Sequence, residues 1–298
     1  MIWKSLWNSY KSPYTVALTP VVFFFFSIPT VHFQYTNTLV PIIKKYSAGD
    51  FVSLPMSQTV KGISLQGQRL LPFQSQSWIG AIPFSPHNKV SFAFLGNSKR
   101  GFWPTIEWAW TTLEVSTSIR ALEHIELPEK VQRLLAQADV DSEKIKALRL
   151  EKTYQLTDGI LKGCWKKPIN SRVTSHFATP RTLPNNDRYY HMGVDLRAAT
   201  GTLVHAPQNG RIVFVEEMSL TGKTVVIYHG SGIHTKLAHL NQILVKEHEE
   251  VQKDQVIGIS GNTGRSTAPH LHWEVSWKGT PLNPLELLQH LALTCDLT

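Results

Sequence analysis

The chain is 298 residues long, 42% hydrophobic, and carries a formal charge of +8 with a pI of about 9.4. That length leaves room for two domains, each with a full apolar core. The positive excess is diffuse: residues 162–298 hold 14 Lys/Arg against 11 Asp/Glu and the remainder 16 against 11, so the basic stripe that marks a nucleic-acid binder is missing. An attraction to anionic polymers or lipid headgroups competes with ordinary surface charge as its meaning.

From Ser12 to Ile43 there is no Asp, Glu, Lys or Arg, and Val16–Ile28 is the most apolar run at 13 residues. Lys4 and Lys11 precede it without an acid, the charge order of an export signal. Thirteen residues is short for a span, although Tyr14 to Phe33 reaches the ~20 that a bilayer needs. No small-x-small cleavage site follows. Residues 1–45 are therefore expected to be a removed signal or an uncleaved inner-membrane anchor, with a buried helix or strand as the third alternative. The first two send the C-terminal bulk outward.

Residues 46–120 carry short alternating runs such as Phe51–Leu54, Gly62–Leu65, Ser77–Ile82 and Val90–Leu95, with turn signals at Ser85–Asn88 and Gly96–Lys99. The pattern is that of a small antiparallel β-sandwich. Trp78, Trp103, Trp108 and Trp110 read as core packing ahead of a sugar-binding face. Residues 121–162 form an expected helical connector. Pro128 suits a first helical turn, and Val131, Leu134, Leu135, Ala138, Ile145 and Leu148 follow at helical spacing. A break at Asp139–Ser142 makes Ser142 the expected N-cap of a second helix. The stripe is expected to pack on a neighbouring domain.

Residues 163–290 return to strands, among them Arg211–Val215 and Thr224–Tyr228, divided by Asn-Gly, Thr-Gly and His-Gly turns. An antiparallel sheet with a groove is expected, followed by a tail at 291–298. Cys164 and Cys295 flank this region; a disulfide is conceivable in an oxidising compartment, with free or buried thiols preferred to it.

Five residues in this last region carry the chemistry: His191 and Asp195 in His-Met-Gly-Val-Asp, His239 in Leu-Ala-His-Leu, and His270 and His272 in His-Leu-His. Residues two apart in a strand project to one face, so His270 and His272 point together. His191 and Asp195, four apart, share a face in strand or helix, and Gly193-Val194 with Leu196 favours strand. A lone histidine in a strand is usually a packed side chain, and the other nine of the 13 are left at that. Three of the five suffice for a metal's protein ligands, leaving two for proton transfer. Other hydrolytic routes fail: there is no His-Glu-x-x-His, no Gly-x-Ser-x-Gly, and Gly258–Gly264 lacks the lysine of a phosphate loop.

Residues from about Trp165 to Leu288 resemble the lysostaphin-like, LytM-type zinc metallopeptidases that cut peptide bonds in bacterial peptidoglycan. The matching stretches are 191–198, 201–207, 209–213, 237–240, Gly-Asn-Thr-Gly-Arg-Ser (261–266) and Ala-Pro-His-Leu-His-Trp-Glu-Val (268–275), in the family's order. The resemblance, and not the spacing, assigns His191, Asp195 and His272 as ligands of one Zn2+ per chain and His239 and His270 as the catalytic histidines. It implies an antiparallel β-sheet peptidase domain preceded by an immunoglobulin-like module, so the expected fold is mainly β with a helical connector. Departures are Ala178 in place of a glycine, a displaced Arg181, and Leu237 where a tyrosine is common.

The implied activity is an exported zinc endopeptidase acting on peptidoglycan cross-link peptides, in the periplasm or at the outer face of the cytoplasmic membrane, with no nucleic-acid partner. A metal-activated water would attack, with His239 (ordinary pKa near ~6.5) as general base and His270 stabilising the oxyanion or protonating the leaving amine. The alternatives are a non-catalytic LytM-type regulator of cell-wall amidases and a wall-binding module. The upstream regions could also cover the groove in the full chain.

Overall fold

The computed structural model describes residues 49–55, 60–65, 68–73, 77–82, 89–100, 103–114, 121–156 and 164–292. The signal or anchor expected at 1–45 and most of the 291–298 tail lie outside them. Among the described residues, no helix is long and apolar enough to cross a membrane.

Seven strands come first: β1 (Phe51–Pro55), β2 (Val60–Leu65), β3 (Gln68–Arg69), β4 (Leu71–Phe73), β5 (Ser77–Ala81), β6 (Lys89–Arg100) and β7 (Trp103–Glu114). They form two antiparallel sheets, ordered β1-β5-β4 and β3-β2-β6-β7. Leu54, Ile63, Leu70 and Ile82 are buried within this region. Gly96–Lys99, expected as a turn, instead lies inside β6 and pairs with β7 from Gly96↔Glu107 to Lys99↔Pro104. Cross-strand pairing overrides the local turn signal there.

The expected connector is only partly helical. It opens with a short strand, β8 (Glu123–His124), followed by α1 (Glu129–Ala136) and α2 (Val140–Thr153). Pro128 is the N-cap of α1 and not a residue of its first turn. Asp139, not Ser142, caps α2, its side chain accepting from the backbone N–H of Asp141 and Ser142. That satisfies two of the amide groups a helix start leaves unpaired.

Twelve strands follow: β9 (Val173–Ser175), β10 (Pro180–Thr182), β11 (Arg188–Tyr190), β12 (Val194–Arg197), β13 (Leu203–His205), β14 (Gly210–Met218), β15 (Gly222–Tyr228), β16 (Ile233–Ile243), β17 (Glu250–Val251), β18 (Val256–Ser260), β19 (His270–Trp277) and β20 (Thr280–Leu282), with α3 (Pro284–Ala292) at the end. Ten of them make one sheet along β17-β14-β15-β16-β19-β12-β9, extended by β13, β18 and β20. β10 joins β11 antiparallel and β8 parallel, tying the start of the connector to this downstream region.

Register separates the two faces of the large sheet. Leu237 pairs with Val225 and Trp273, and Trp273 with Val194; all four are fully buried in the main apolar core. The adjacent rows, Val226–Lys236–Glu274 and Ala238–His272–Asp195, face the other way. α2 docks on that second face: Leu150 packs with Phe214 and Val226, and the Thr153 carbonyl accepts from His234 Nε2 at 2.8 Å. Arg149 pairs with Glu216 and Glu247, and Lys146 Nζ donates to the Glu217 carbonyl at 2.6 Å.

The expected apolar stripe of the connector is not the one buried. Ile145 and Leu148 are 61% and 60% exposed, and Leu134 is 41% exposed. The docked face is instead Glu143, Lys146, Leu150 and Thr153, because hydrogen bonds to the backbone of the sheet's rim and the ion pairs of Arg149 orient the helix around one apolar anchor. The preference for free thiols is also overturned: Cys164 is disulfide-bonded, and Cys295 is the chain's one other cysteine.

Candidate metal centre and active site

Three neighbouring strands bring the site together. Asp195 on β12 pairs directly with His272 on β19, and His272 with Ala238 on β16, so these three side chains lie on one face. His239 follows Ala238, and regular alternation would turn it into the apolar core. A bulge prevents this: Val225 pairs with Leu237 and Lys223 with Leu240, leaving Ala238 and His239 opposite Thr224 alone. His239 takes φ +61° there, a left-handed conformation rare for a non-glycine residue. Its backbone N–H donates to Thr221 O at 2.9 Å and its Nδ1 to Thr263 O at 2.8 Å. Gly222 and Gly264, both at positive φ, let these two loops touch: a Cβ on Gly264 would lie 2.2 Å from the Gly222 nitrogen.

His191 lies in the link between β11 and β12, outside the strand expected for it; only Val194 onward is strand. Its backbone pairs instead with Ala178 and Thr179, at 2.7 and 2.9 Å. Ala178 stands at φ +60°, which accounts for the glycine expected at that position.

The tautomers follow from the outer hydrogen bonds. His191 Nδ1 donates to His176 O at 2.9 Å, His270 Nδ1 to Ala268 O at 2.8 Å, and His272 Nε2 to Glu274 at 2.8 Å. Carbonyls and carboxylates only accept, so the opposite ring nitrogens keep their lone pairs. His191 Nε2, His272 Nδ1 and Asp195 Oδ1 then converge, with separations of 3.0, 2.8 and 3.1 Å. Three lone-pair donors aimed at one point repel unless a cation or a proton sits among them. Tetrahedral zinc with ligands at ~2.0–2.1 Å would set such atoms ~3.3 Å apart, so the donors fit the ion with shifts of a few tenths of an ångström. His239 and His270 complete the cluster, their ring centres 4.8 Å apart, with His270 Nε2 3.5 Å from Asp195 Oδ1.

Charge is distributed to match. Burial works to raise the Asp195 pKa, but the His191 and His272 rings against its carboxylate outweigh that and hold it well below the usual carboxylate range. Burial lowers His191, and it lowers His270. His239 is pushed by burial, then by His270 and His272, to about 3, away from the near-6.5 value expected. It is therefore neutral, with Nε2 free to accept. Burial opposes protonation of His272 too, but Asp195 and Glu274 outweigh it and raise that pKa. Glu274 falls to about 2: burial is overcome by Lys236, whose Nζ lies 2.5 Å away, and by His272.

Arg181 donates to Asp195 Oδ2 at 2.8 Å and through Nε to Glu123 at 2.9 Å. The second carboxylate oxygen is thereby occupied and Oδ1 is left to face the cluster. The same open groove is lined by Tyr189, His239, Arg265 and His270, and by Ile125 and Tyr154 from the connector. All five residues singled out in the sequence thus meet at one place. Arg181, Lys236, Glu123 and Glu274 were missed as parts of it. Glu274 had a signal, since it stands two residues beyond His272 on the same strand face; Glu123 and Lys236 depend on long-range pairing and had none.

Residues 189–284 match the model of Peptidase family M23. The chain is 37% identical over 132 residues to the peptidoglycan DD-endopeptidase ShyA of Vibrio cholerae, covering 43% of this chain and 31% of that protein. It is 41% identical over 97 residues to the DD-carboxypeptidase/endopeptidase Mpg of Neisseria meningitidis, covering 33% and 22%. The chain thus spans about a third or less of the length of these curated relatives. A solved peptidase M23 from Pseudomonas aeruginosa aligns with 84% of this chain and 98% of its own at a TM-score of 0.60 and 20% identity, which shows a shared fold.

Proposed function

We propose, from the premise that residues 189–284 are a LytM-type domain of Peptidase family M23 homologous to peptidoglycan DD-endopeptidases, that this chain is a zinc endopeptidase cutting peptide cross-links of peptidoglycan in the cell envelope. The observation that carries the reading is the convergence of three lone-pair donors beside two further neutral histidines.

His191 Nε2, Asp195 Oδ1 and His272 Nδ1 are the atoms that would hold zinc. When bound there, zinc supplies Lewis-acid polarisation of the scissile carbonyl and lowers the pKa of water towards ~7. His239 Nε2, neutral and unprotonated, accepts the proton of the attacking water. The departing amine receives the proton that His239 took from the water, with His270, its Nδ1 anchored on Ala268 O and its ring beside that of His239, placed to pass it on. Glu274 and Lys236 orient His272, and Arg181 orients Asp195.

Placement in the envelope is supported by the substrate named for the relatives and by the disulfide at Cys164. Residues 1–45 would be the export signal or inner-membrane anchor, 46–120 a small immunoglobulin-like sandwich, 121–162 the connector and 163–290 the peptidase unit. The test is digestion of purified cross-linked sacculi by the zinc-loaded chain. His239→Ala should keep zinc and lose about 10²–10⁴-fold in rate, whereas His272→Ala should lose zinc. Undiminished release of peptides by a His239→Ala, His272→Ala double variant would reject the reading.

A further inference from the structure

His239 stands at φ +61°, a strained conformation for a residue with a side chain, which persists only where its surroundings fix it. Much of the fixing comes from the loop at 262–269, between β18 and β19. Within that loop the Thr263 hydroxyl makes two bonds. It donates to Leu240 O at 2.7 Å and accepts from the Lys223 N–H at 3.0 Å. Lys223 and Leu240 are the cross-strand pair that closes the bulge of β16. One half-buried hydroxyl therefore ties β15, β16 and the loop together at that pair. The carbonyl of the same residue receives His239 Nδ1 at 2.8 Å. A Cβ on Gly222 would fall 2.2 Å from Thr263 Oγ1, so the hydroxyl reaches its place only because that turn residue lacks a side chain. Two residues on, the Arg265 N–H holds the loop to Leu220 O at 2.8 Å. Thr263 itself does not line the groove.

We infer that Thr263 is a positioning residue for the general base: its hydroxyl fixes the carbonyl that keeps His239 in the Nδ1–H tautomer, with Nε2 left to accept in the groove. The kinetic consequence rests on the endopeptidase reading, whereas the tautomer does not. A backbone carbonyl cannot be removed by substitution, but it can be released. Without the hydroxyl the loop loses both side-chain bonds of Thr263, and the imidazole is free to turn or to move its proton to Nε2. A ring that offers N–H in place of a lone pair cannot take the proton of an attacking water. A displacement of about 1 Å is by itself enough to cost on the order of 10²-fold in rate.

The test compares Thr263→Val, which matches threonine in shape and removes both bonds, with Thr263→Ser, which keeps the hydroxyl, in the zinc-loaded full chain. Thr263→Ala removes the same bonds with a smaller group and carries the same expectations should the valine disturb folding. Loss of the hydroxyl should lower kcat about 10–100-fold with KM changed by less than about twofold, and Thr263→Ser should recover most of the rate. In a His239→Ala background Thr263→Val should alter the residual rate by less than about twofold, because its effect passes through that ring. Two-bond proton–nitrogen NMR spectra of protein labelled at its histidine rings should show the Nδ1–H tautomer of His239 in the native chain and in Thr263→Ser. That signature should be lost in Thr263→Val. An unchanged signature there, or an equal loss of rate with and without His239, would overturn the assignment. A lost signature in a chain that cleaves no cross-link would uphold the positioning role and reject the endopeptidase activity.

Discussion

Arg181 shows how a single side chain can set the geometry of a carboxylate proposed to bind metal. By taking Oδ2 of Asp195 it prevents the carboxylate from rotating, and Glu123 holds Arg181 in turn. Outer partners of this kind typically contribute 10–100-fold in metal affinity. Arg181→Gln, and to a lesser degree Glu123→Gln, should therefore weaken zinc binding within roughly that range, read by competition with a chromophoric chelator. Unchanged affinity in both would deny the arginine its positioning role. At this scale the sequence was legible where chemistry dictates residue type, as with the five histidine and aspartate positions. It was silent where a partner comes from distant register, as Lys236 does for Glu274. The pKa of His239 was misjudged because burial, which a single sequence does not display, outweighs the intrinsic value.

At the scale of elements, helical periodicity predicted that α2 exists but chose the wrong face. Apolar spacing selected Ile145 and Leu148, whereas the charged rim of the sheet holds Arg149 and Lys146 and turns Leu150 inward. Leu150→Ala should cost about 2–3 kcal/mol, since it empties a contact with Phe214 and Val226. Ile145→Ala and Leu148→Ala should each stay within about 0.5 kcal/mol. Chemical denaturation of the three variants checks this, and a large cost at Ile145 would restore the original stripe. The bulge in β16 was equally hidden, because nothing in Leu-Ala-His-Leu announces two residues opposite one. Strand existence was readable from alternation and turn residues across both β regions. The long unbroken β6 was not, since its turn-forming residues are overruled by twelve paired positions on β7.

For the molecule as a whole, two buried histidines outside the five-residue cluster make stability depend on acidity. His229, closed in by Trp165 and bonded to Asn209 O, is lowered by burial to about 3, and His234 beneath Tyr154 to about 4. An unfolded chain would protonate both near 6.5. Between these limits the unfolded state binds more protons, so stability is intact above about pH 6.5 and falls as pH drops towards 3. Thermal melting recorded from pH 8 to 4 should be flat at first and then decline. A His229→Gln variant should decline less steeply, and an identical slope would refute the linkage. The succession of strand-rich and helical stretches followed from composition and punctuation, but the return of β8 to β10 did not, because parallel pairing across some sixty residues leaves no local trace.

The disulfide at Cys164 makes this part of the fold answer to the redox state of its surroundings. Cys164 adjoins Trp165 of the main apolar core, and its carbonyl accepts from Gln208 Nε2 at 2.9 Å. Where a reductant opens the disulfide, the covalent restraint is lost and noncovalent contacts alone keep this stretch on the core.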